Sequence, residues 1–190
     1  MNPYRVFWLS LICGSPIIAH IIYQGSKKKL YQGNTVSPDF KHGENLQIGE
    51  YCIIEDSVIV GDNCVIKNYV ELRNGTIIGD DCYIDSGVKS SGQCKIGNRV
   101  TLRYDSIIAR GTIIEDDAFI SPQLMTENLD LQGTPIGGAH IGKGCLIGTN
   151  VTLASGIKIA NGTIIGTKAN VRKDIIEPGV YIGNPARQIQ

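Results

Sequence analysis

The sequence predicts an all-β protein, a solenoid of short parallel strands wound into three-sided coils. From Ile48 the chain divides into consecutive groups of six residues, nearly all of which open on an aliphatic residue. Glycine accounts for 23 of the 190 residues, whereas aromatic residues make up only 6%. A core built on large rings is therefore not expected, and glycines at regular intervals suit sharp corners between short strands.

Two runs of hexads carry this pattern. The first reads IGEYCI, IEDSVI, VGDNCV, IKNYVE, LRNGTI, IGDDCY, IDSGVK, SSGQCK, IGNRVT, LRYDSI, IARGTI, IEDDAF, ISPQLM. The second follows residues 126–140 and reads IGKGCL, IGTNVT, LASGIK, IANGTI, IGTKAN, VRKDII. Position one is Ile, Val or Leu in eighteen of the nineteen hexads, with Ser90 the exception, and position five is small or β-branched in most.

A period of six excludes an amphipathic helix, in which apolar residues recur at intervals of three and four. It favours short strands joined by corners, with positions one and five pointing inward. Three hexads form an eighteen-residue coil, and coils stack at the strand spacing of about 4.8 Å. The nineteen hexads, preceded by the degenerate hexads VSPDFK and HGENLQ, predict about six to seven coils.

With these hexads the sequence resembles the hexapeptide-repeat acyltransferases, and it is most similar to those that acetylate sugars and nucleotide-linked amino sugars. The ending VRKDIIEPGVYIGNPARQI resembles that family's C-terminal tail. The resemblance covers roughly residues 36–190. It implies a left-handed parallel β-helix, a homotrimer of parallel prisms, and acetyl-CoA as co-substrate in the groove between two prisms.

Three segments are expected along the chain. Residues 1–35 form an apolar segment with a basic linker, residues 36–176 form the β-helix, and residues 177–190 form the tail. Residues 6–23 lack a formal charge and are expected to be helical. They either associate with a membrane or cap the first coil. The lysines at 27–29, against the single Arg5, would place the solenoid on the cytoplasmic side.

Composition excludes some classes of function. The 18 basic residues equal the 18 acidic ones, so no basic surface for nucleic acid is expected. The sequence has no CxxC or HExxH motif, and therefore no metal site is predicted. Five cysteines occupy position five of their hexads, which predicts buried, reduced thiols: Cys52, Cys64, Cys82, Cys94 and Cys145.

Residues 126–140 interrupt the hexads, and we expect them to project as a functional loop from a corner. In the family that the sequence resembles, a loop at this place carries a catalytic histidine and reaches the neighbouring subunit. Here Asn128 falls about where that histidine would be, and an amide cannot take up a proton. The catalytic candidates are therefore Glu127, as a base or an orienting group, Asn128, as an orienting group, and His140.

Acyl-CoA contacts are expected on the last coils. By analogy with the family, small residues there would let the pantetheine arm lie close, and cations would hold the phosphates. The candidates are Ala154, Ala160 and Gly166 for the arm, and Lys168, Arg172, Lys173 and Arg187 for the phosphates.

The function that the resemblance implies is acetyl-CoA-dependent acetylation of an amino sugar, carried on a nucleotide, in glycan or polysaccharide synthesis. The missing loop histidine favours an amine over a hydroxyl acceptor, because a hydroxyl needs more help from a base. A sugar O-acetyltransferase is the alternative within the enzyme class. A non-catalytic β-helical scaffold subunit is the alternative outside it.

Overall fold

A computed structural model of the chain describes residues 33–189, and the regular structure within that range consists of short β-strands. The predicted apolar segment 6–23 lies outside the described residues. In chain order the strands are β1 (Thr35–Val36), β2 (Lys41–His42), β3 (Gln47–Ile48), β4 (Ile53–Ile54), β5 (Ile59–Val60), β6 (Val65–Ile66), β7 (Glu71–Leu72), β8 (Ile77–Ile78), β9 (Tyr83–Ile84), β10 (Lys89–Ser90), β11 (Lys95–Ile96), β12 (Thr101–Leu102), β13 (Ile107–Ile108), β14 (Ile113–Ile114), β15 (Phe119–Ile120), β16 (Met125–Thr126), β17 (His140–Ile141), β18 (Leu146–Ile147), β19 (Thr152–Leu153), β20 (Lys158–Ile159), β21 (Ile164–Ile165), β22 (Asn170–Val171), β23 (Val180–Ile182) and β24 (Arg187–Gln188).

The strands form three sheets, one on each side of a triangular prism. Sheet A has the order β1-β4-β7-β10-β13-β16-β19-β22, sheet B the order β2-β5-β8-β11-β14-β17-β20, and sheet C runs from β3 to β24. The chain visits A, B and C in turn, so the prism has edges that we call AB, BC and CA. Pairing between coils is parallel, as in Ile53↔Glu71, and β24 is added antiparallel to β23 in the tail. The predicted all-β solenoid is confirmed.

The solenoid has about eight turns rather than the six to seven that the regular hexads predict. The added length lies at the two ends. The degenerate hexads before Ile48 supply β1 and β2, and β23 of the tail pairs with β21. Backbone ladder bonds do not depend on side-chain identity, so irregular hexads can continue the coil.

The core is the aliphatic ladder that the hexads predict. From Cys52 to Ile175, every residue at position one or five of a hexad is at most 6% exposed. Fully burying a Val, Leu or Ile side chain contributes about 1.5–3 kcal/mol, so the ladder is the main source of stability. The inward orientation of positions one and five is thereby confirmed.

Two polar residues occupy position one in sheet A, and both are hydrogen-bonded. Ser90 Oγ lies 2.7 Å from Thr76 Oγ1 and accepts the backbone N–H of Arg73. Thr126 Oγ1 accepts the backbone N–H of Ala109 at 2.7 Å. Thr126 therefore continues the hexad register, and the inserted loop proper runs from 127 to 139, two residues shorter than the break in the hexads suggests.

The corners explain the glycines at position two. On edge BC, a Cβ at Gly61 would lie 2.1 Å from Asp80 Oδ1, and a Cβ at Gly79 would lie 2.3 Å from Asn98 Oδ1. These side chains fold beneath the preceding coil, where Asp80 Oδ1 accepts the backbone N–H of Asp62 at 2.8 Å. The close approach of the next coil therefore requires glycine at these two positions.

The cysteines pack as small apolar side chains. All five described ones are free and at most 1% exposed. Burial raises the pKa of Cys52, Cys94 and Cys145, so these thiols stay protonated. A protonated, buried thiol is a poor nucleophile, which supports a structural role.

Replacing Cys82 tests the assignment of position five. Cys82→Leu adds volume to a core position that is only 1% exposed, and we expect it to destabilise the protein by about 1–3 kcal/mol. Cys82→Val is the matched control, because valine occupies the same position in other hexads and should change little. The melting temperatures of the two variants, measured side by side, are the readout; equal values would contradict the assignment.

Candidate active site

The inserted loop, residues 127–139, forms a small hairpin on edge AB. The backbone N–H of Ile136 donates to Asn128 O at 2.9 Å, and Leu129 and Pro135 form an antiparallel bridge. Asp130 shapes the tip, where its Oδ1 accepts the backbone N–H of Thr134 at 2.8 Å. The segment is thus held by its own hydrogen bonds, with Asp130 acting as a turn residue.

The next coil anchors the loop. Ser155 Oγ donates to Leu129 O at 2.7 Å, and the backbone N–H of Gly156 donates to Gly137 O at 2.9 Å. Leu131, by contrast, is 90% exposed at the tip. The base of the loop therefore belongs to the prism, while an apolar side chain projects from it.

His140 and Glu115 form the principal polar pair next to the loop. His140 opens β17 where the loop rejoins sheet B, and its Nε2 lies 2.7 Å from Glu115 Oε1. The other carboxylate oxygen of Glu115 accepts the backbone N–H of Lys143 at 3.1 Å. Both contacts fix the carboxylate, and the carboxylate in turn fixes the plane of the imidazole.

This pairing determines which nitrogen of His140 can act. An ionised carboxylate only accepts hydrogen bonds, so Nε2 carries the proton shared with Glu115. In the neutral ring Nδ1 then has a free lone pair, and it has no hydrogen-bond partner among residues 33–189. The imidazole is about 38% exposed, so an external molecule can reach it. The arrangement is that of a general base with an orienting carboxylate.

A groove lies beside the pair on the outer face of sheet B. It has a volume of about 390 Å³, and Lys95, Ile113, Glu115, Asp116 and Lys143 are among its lining residues. An apolar floor with charged groups at the rim suits a small polar molecule. Glu115, the carboxylate that holds His140, is thus part of the wall of this groove.

Glu115 was not among the sequence candidates. The sequence nevertheless marks this residue. Glu115 stands at position two of its hexad, a position at which glycine is frequent, and this hexad precedes the inserted loop by one coil side. The sequence separation from His140 is 25 residues, since the loop lengthens the usual coil. The extra loop length hid the fact that these residues occupy neighbouring coils.

The structure does not bring Glu127 and Asn128 into contact with His140. Both residues are partly buried at the base of the loop, and the backbone N–H of Glu127 donates to Leu153 O at 3.0 Å. Glu127 and Asn128 follow β16 of sheet A at the start of the loop, whereas His140 opens β17 of sheet B at its end. A role for them as acceptor-positioning groups on this edge stays a prediction.

The three small residues predicted to flank pantetheine lie on different edges. Ala154 follows β19 on edge AB, Ala160 follows β20 on edge BC, and Gly166 follows β21 on edge CA. Ala154 is buried, and a Cβ at Gly166 would lie 2.6 Å from Ile182 Cγ2. One arm running along one edge can therefore meet only one of the three, and Ala154 shares its edge with the loop.

The predicted phosphate-binding cations are also divided. Arg172 and Lys173 are exposed and follow β22 on edge AB, so they lie on the same edge as Ala154 and the loop. Lys168 lies on edge CA, and Arg187 lies in β24 of the tail. The structure thus groups Arg172 and Lys173 with the loop.

Lys158 joins this group although the sequence pattern gave it no role. It is the neighbour of His140 in sheet B, with the register His140↔Lys158. Its backbone N–H donates to Asp174 Oδ1 at 2.9 Å. A cation on the strand beside His140 was recognisable only once the register across the loop was known.

Two further expectations concern metals and membranes. Within residues 33–189 no three His, Cys, Asp or Glu side chains are close enough together to hold a metal ion. The same part of the chain contains no helix with the length and apolarity needed to cross a membrane. The apolar segment 6–23, for which a membrane association was expected, lies outside the described residues.

Comparison with known proteins agrees with the fold. A family model described as bacterial transferase hexapeptide (six repeats) matches residues 41–74 and 138–173. The bifunctional protein GlmU of Exiguobacterium sp. is 26% identical over 160 residues, which cover 78% of this chain and 28% of that protein. A chloramphenicol acetyltransferase of Morganella morganii is 37% identical over 54 residues, or 28% of this chain and 26% of that protein. The chain spans less than a third of the length of these relatives.

Solved structures show the same architecture. A variant of AntD, an N-acyltransferase from Bacillus cereus, in complex with dTDP and coenzyme A, superposes with a TM-score of 0.54 at 17% identity, covering 88% of each chain. A UDP-N-acetylglucosamine acyltransferase from Campylobacter jejuni gives 0.55 at 16% identity, covering 82% of this chain and 65% of that one. The chain therefore contains hexapeptide repeats, and it has the β-helical fold of these solved structures.

Proposed function

We propose that the protein transfers an acetyl group from acetyl-CoA to the amino group of an amino sugar that is carried on a nucleotide. The observation that carries this proposal is the His140–Glu115 pair, which lies 2.7 Å apart beside a groove and at the end of the inserted loop. Among the similar solved structures, one N-acyltransferase binds dTDP and coenzyme A, and another protein is a UDP-N-acetylglucosamine acyltransferase. A coenzyme A donor and a nucleotide-linked acceptor, as proposed for this protein, belong to the same classes of molecule.

His140 is the proposed base. The amine nitrogen attacks the thioester carbonyl carbon, the new C–N bond forms, and the nitrogen gives up a proton to Nδ1 of His140. The C–S bond then breaks, and the same proton passes to the departing thiolate to give coenzyme A and the amide. Glu115 keeps the imidazole in one orientation and stabilises its positive charge between these steps.

Acetyl-CoA is proposed to lie along edge AB. Its pantetheine arm would pass Ala154 and bring the thioester to His140. Arg172 and Lys173 would pair with the phosphates. Lys158 lies beside His140 in sheet B and is a further cation near the proposed path of acetyl-CoA. Glu127 and Asn128, at the base of the loop, are proposed to orient the acceptor. No metal takes part in this scheme.

The proposed assembly is a homotrimer. On the outer face of sheet C, Phe119, Leu146 and Ile164 are stacked on successive coils, and each is 41–43% exposed. Such a strip suits burial against another prism. Leu131, at the loop tip, is a further apolar group that a neighbouring subunit would cover. The proposed location is the cytoplasm, at the face of a membrane if residues 6–23 associate with one.

O-acetylation of a saccharide hydroxyl is the second candidate, because the His140–Glu115 pair can serve either acceptor, and the choice of an amine is supported by the similar N-acyltransferase structure. A hydroxyl is a weaker nucleophile than an amine and needs a base, which this pair supplies. The absence of a histidine at Asn128 therefore no longer argues for an amine acceptor. The scaffold alternative has less support, because a scaffold has no use for an oriented, accessible imidazole.

Thiol release distinguishes the two acceptors. Each nucleotide-linked amino sugar would be assayed with acetyl-CoA beside the matched sugar in which the amine is a hydroxyl. We expect release of coenzyme A with the amine and not with its hydroxyl partner. The reverse result would establish the O-acetyltransferase, and no release with either member of any pair would reject both.

A further inference from the structure

A second cluster of possible binding groups lies on edge CA, away from the loop. Tyr51 and Tyr69 occupy the same corner position on successive coils, and their rings stack with centroids 5.3 Å apart and planes 10° apart. They are 57% and 59% exposed. Because one face of Tyr69 is covered by Tyr51, its other face points away, towards the next coil.

The next coil has no side chain at the equivalent corner position. Gly87 stands where a third ring would continue the stack. A Cβ at Gly87 would lie 2.1 Å from Asp105 Oδ1, so the Asp105 carboxylate covers this position from the following coil. Tyr104, 46% exposed, borders the far side. We call the resulting cavity of about 510 Å³ the tyrosine notch, with Tyr69, Gly87, Tyr104 and Asp105 among its lining residues.

The backbone at this corner is the regular one of the prism. Tyr51 and Tyr69 both have φ 59°, and the other described non-glycine residues with positive φ, such as Ser57, Gln93 and Arg99, have values of 53–63°. The stacked, exposed rings, and not the backbone conformation, therefore distinguish this corner.

The charges in the notch indicate which planar ligand it suits. Asp105 and Glu71 present carboxylates, and Lys89 Nζ pairs with Glu71 Oε1 at 2.8 Å. The hydrogen bond from Lys89 holds the pKa of the Glu71 carboxyl below its usual value, so the group stays ionised. Carboxylates accept hydrogen bonds from hydroxyl groups but repel phosphates, and this composition disfavours a nucleotide.

We propose that the tyrosine notch binds a neutral pyranose ring of a saccharide, stacked on the free face of Tyr69 with its hydroxyls hydrogen-bonded to Asp105. The ring would take the place of the missing third member of the tyrosine stack. A second cavity of about 470 Å³ shares Glu71 and Lys89 with the notch, which leaves room for a following sugar unit on sheet A.

The notch shares none of its lining residues with the groove beside Glu115, and it lies on edge CA, whereas the groove lies on the outer face of sheet B. It is therefore a site that holds a glycan rather than one that acetylates it. The inference does not depend on acetyl transfer, since binding at the notch can be measured without acetyl-CoA.

Saturation-transfer difference NMR on the full-length chain tests this site. The probes are maltotriose, chitotriose and mannotriose, three neutral trisaccharides, with uridine monophosphate for comparison. We expect transfer to at least one trisaccharide, with dissociation constants in the millimolar range. Tyr69→Leu should weaken that binding at least tenfold, and Asp105→Asn should weaken it at least threefold.

Tyr83→Leu is the matched control, because Tyr83 is a tyrosine on the outer face of sheet C in a neighbouring coil. It should bind as the wild type does. The proposal is overturned if no trisaccharide receives magnetisation, if binding persists unchanged in Tyr69→Leu, or if only uridine monophosphate binds. Because both substitutions at the notch leave His140 in place, acetyl transfer can succeed or fail independently of this result.

Discussion

His140→Ala is expected to lower kcat/KM about 10²–10⁴-fold, the range for loss of a general base. The substitution removes Nδ1, the atom that the pairing with Glu115 leaves free. Stability should change little, since an exposed ion pair contributes about 0–1 kcal/mol. Initial rates of coenzyme A release, together with melting temperatures, give both quantities.

Two further variants make this result specific. Glu115→Gln keeps the shape of the side chain but removes its charge, so it should reduce turnover by less than His140→Ala does. His42→Ala is the matched control, because His42 lies in the same sheet but its Nδ1 contacts the carbonyl of Gly43 instead of a carboxylate. It should retain wild-type rates. A fully active His140→Ala would remove the pair from the mechanism.

Arg103→Met is expected to destabilise the protein more than Cys82→Leu does. Asp85 is 1% exposed on edge CA, and Arg103 Nε donates to its Oδ2 at 2.8 Å. The same hydrogen bond raises the pKa of Arg103, which therefore remains charged. Without the arginine, a buried carboxylate is left with the backbone N–H of Ser86 as its hydrogen-bond donor at 3.0 Å.

Leaving a buried charge unpaired costs about 3–5 kcal/mol, and the contact with Ser86 places the expected loss at the lower end of that range. Arg99→Met is the matched control. Its Nε donates to Asp117 Oδ1 at 2.6 Å, but both side chains are substantially exposed, so the melting temperature should hardly move. Equal melting temperatures for the two variants would contradict the importance of the buried pair.

The solenoid could be predicted from the sequence because its rule is local. A hexad needs only an inward residue at positions one and five, and residues 48–125 obey this rule almost without exception. Even the departures at Ser90 and Thr126 fit the geometry, since each finds a hydrogen-bond partner inside the coil. The ends were harder, because β1 and β2 are held by backbone bonds that leave little trace in residue type.

The candidate site could be predicted only in part. The interruption of the hexads located the loop, and His140 followed from its position there. Its partner Glu115 did not, because the inserted loop changes the spacing between neighbouring coils. The small residues predicted to contact acetyl-CoA lie on three different edges for a related reason. Ala154, Ala160 and Gly166 are six residues apart in sequence, and six residues carry the chain to the next edge.

The melting temperature with and without millimolar acetyl-CoA tests the central claim most directly. A ligand at a hundred times its dissociation constant stabilises the native state by about 2.7 kcal/mol, a rise of roughly 5–10 °C for a chain of this size. We expect that rise for the wild type and for Lys41→Ala, and a clearly smaller one for Arg172→Ala/Lys173→Ala. No rise in the wild type at saturating acetyl-CoA would contradict the assignment of acetyl-CoA as the donor.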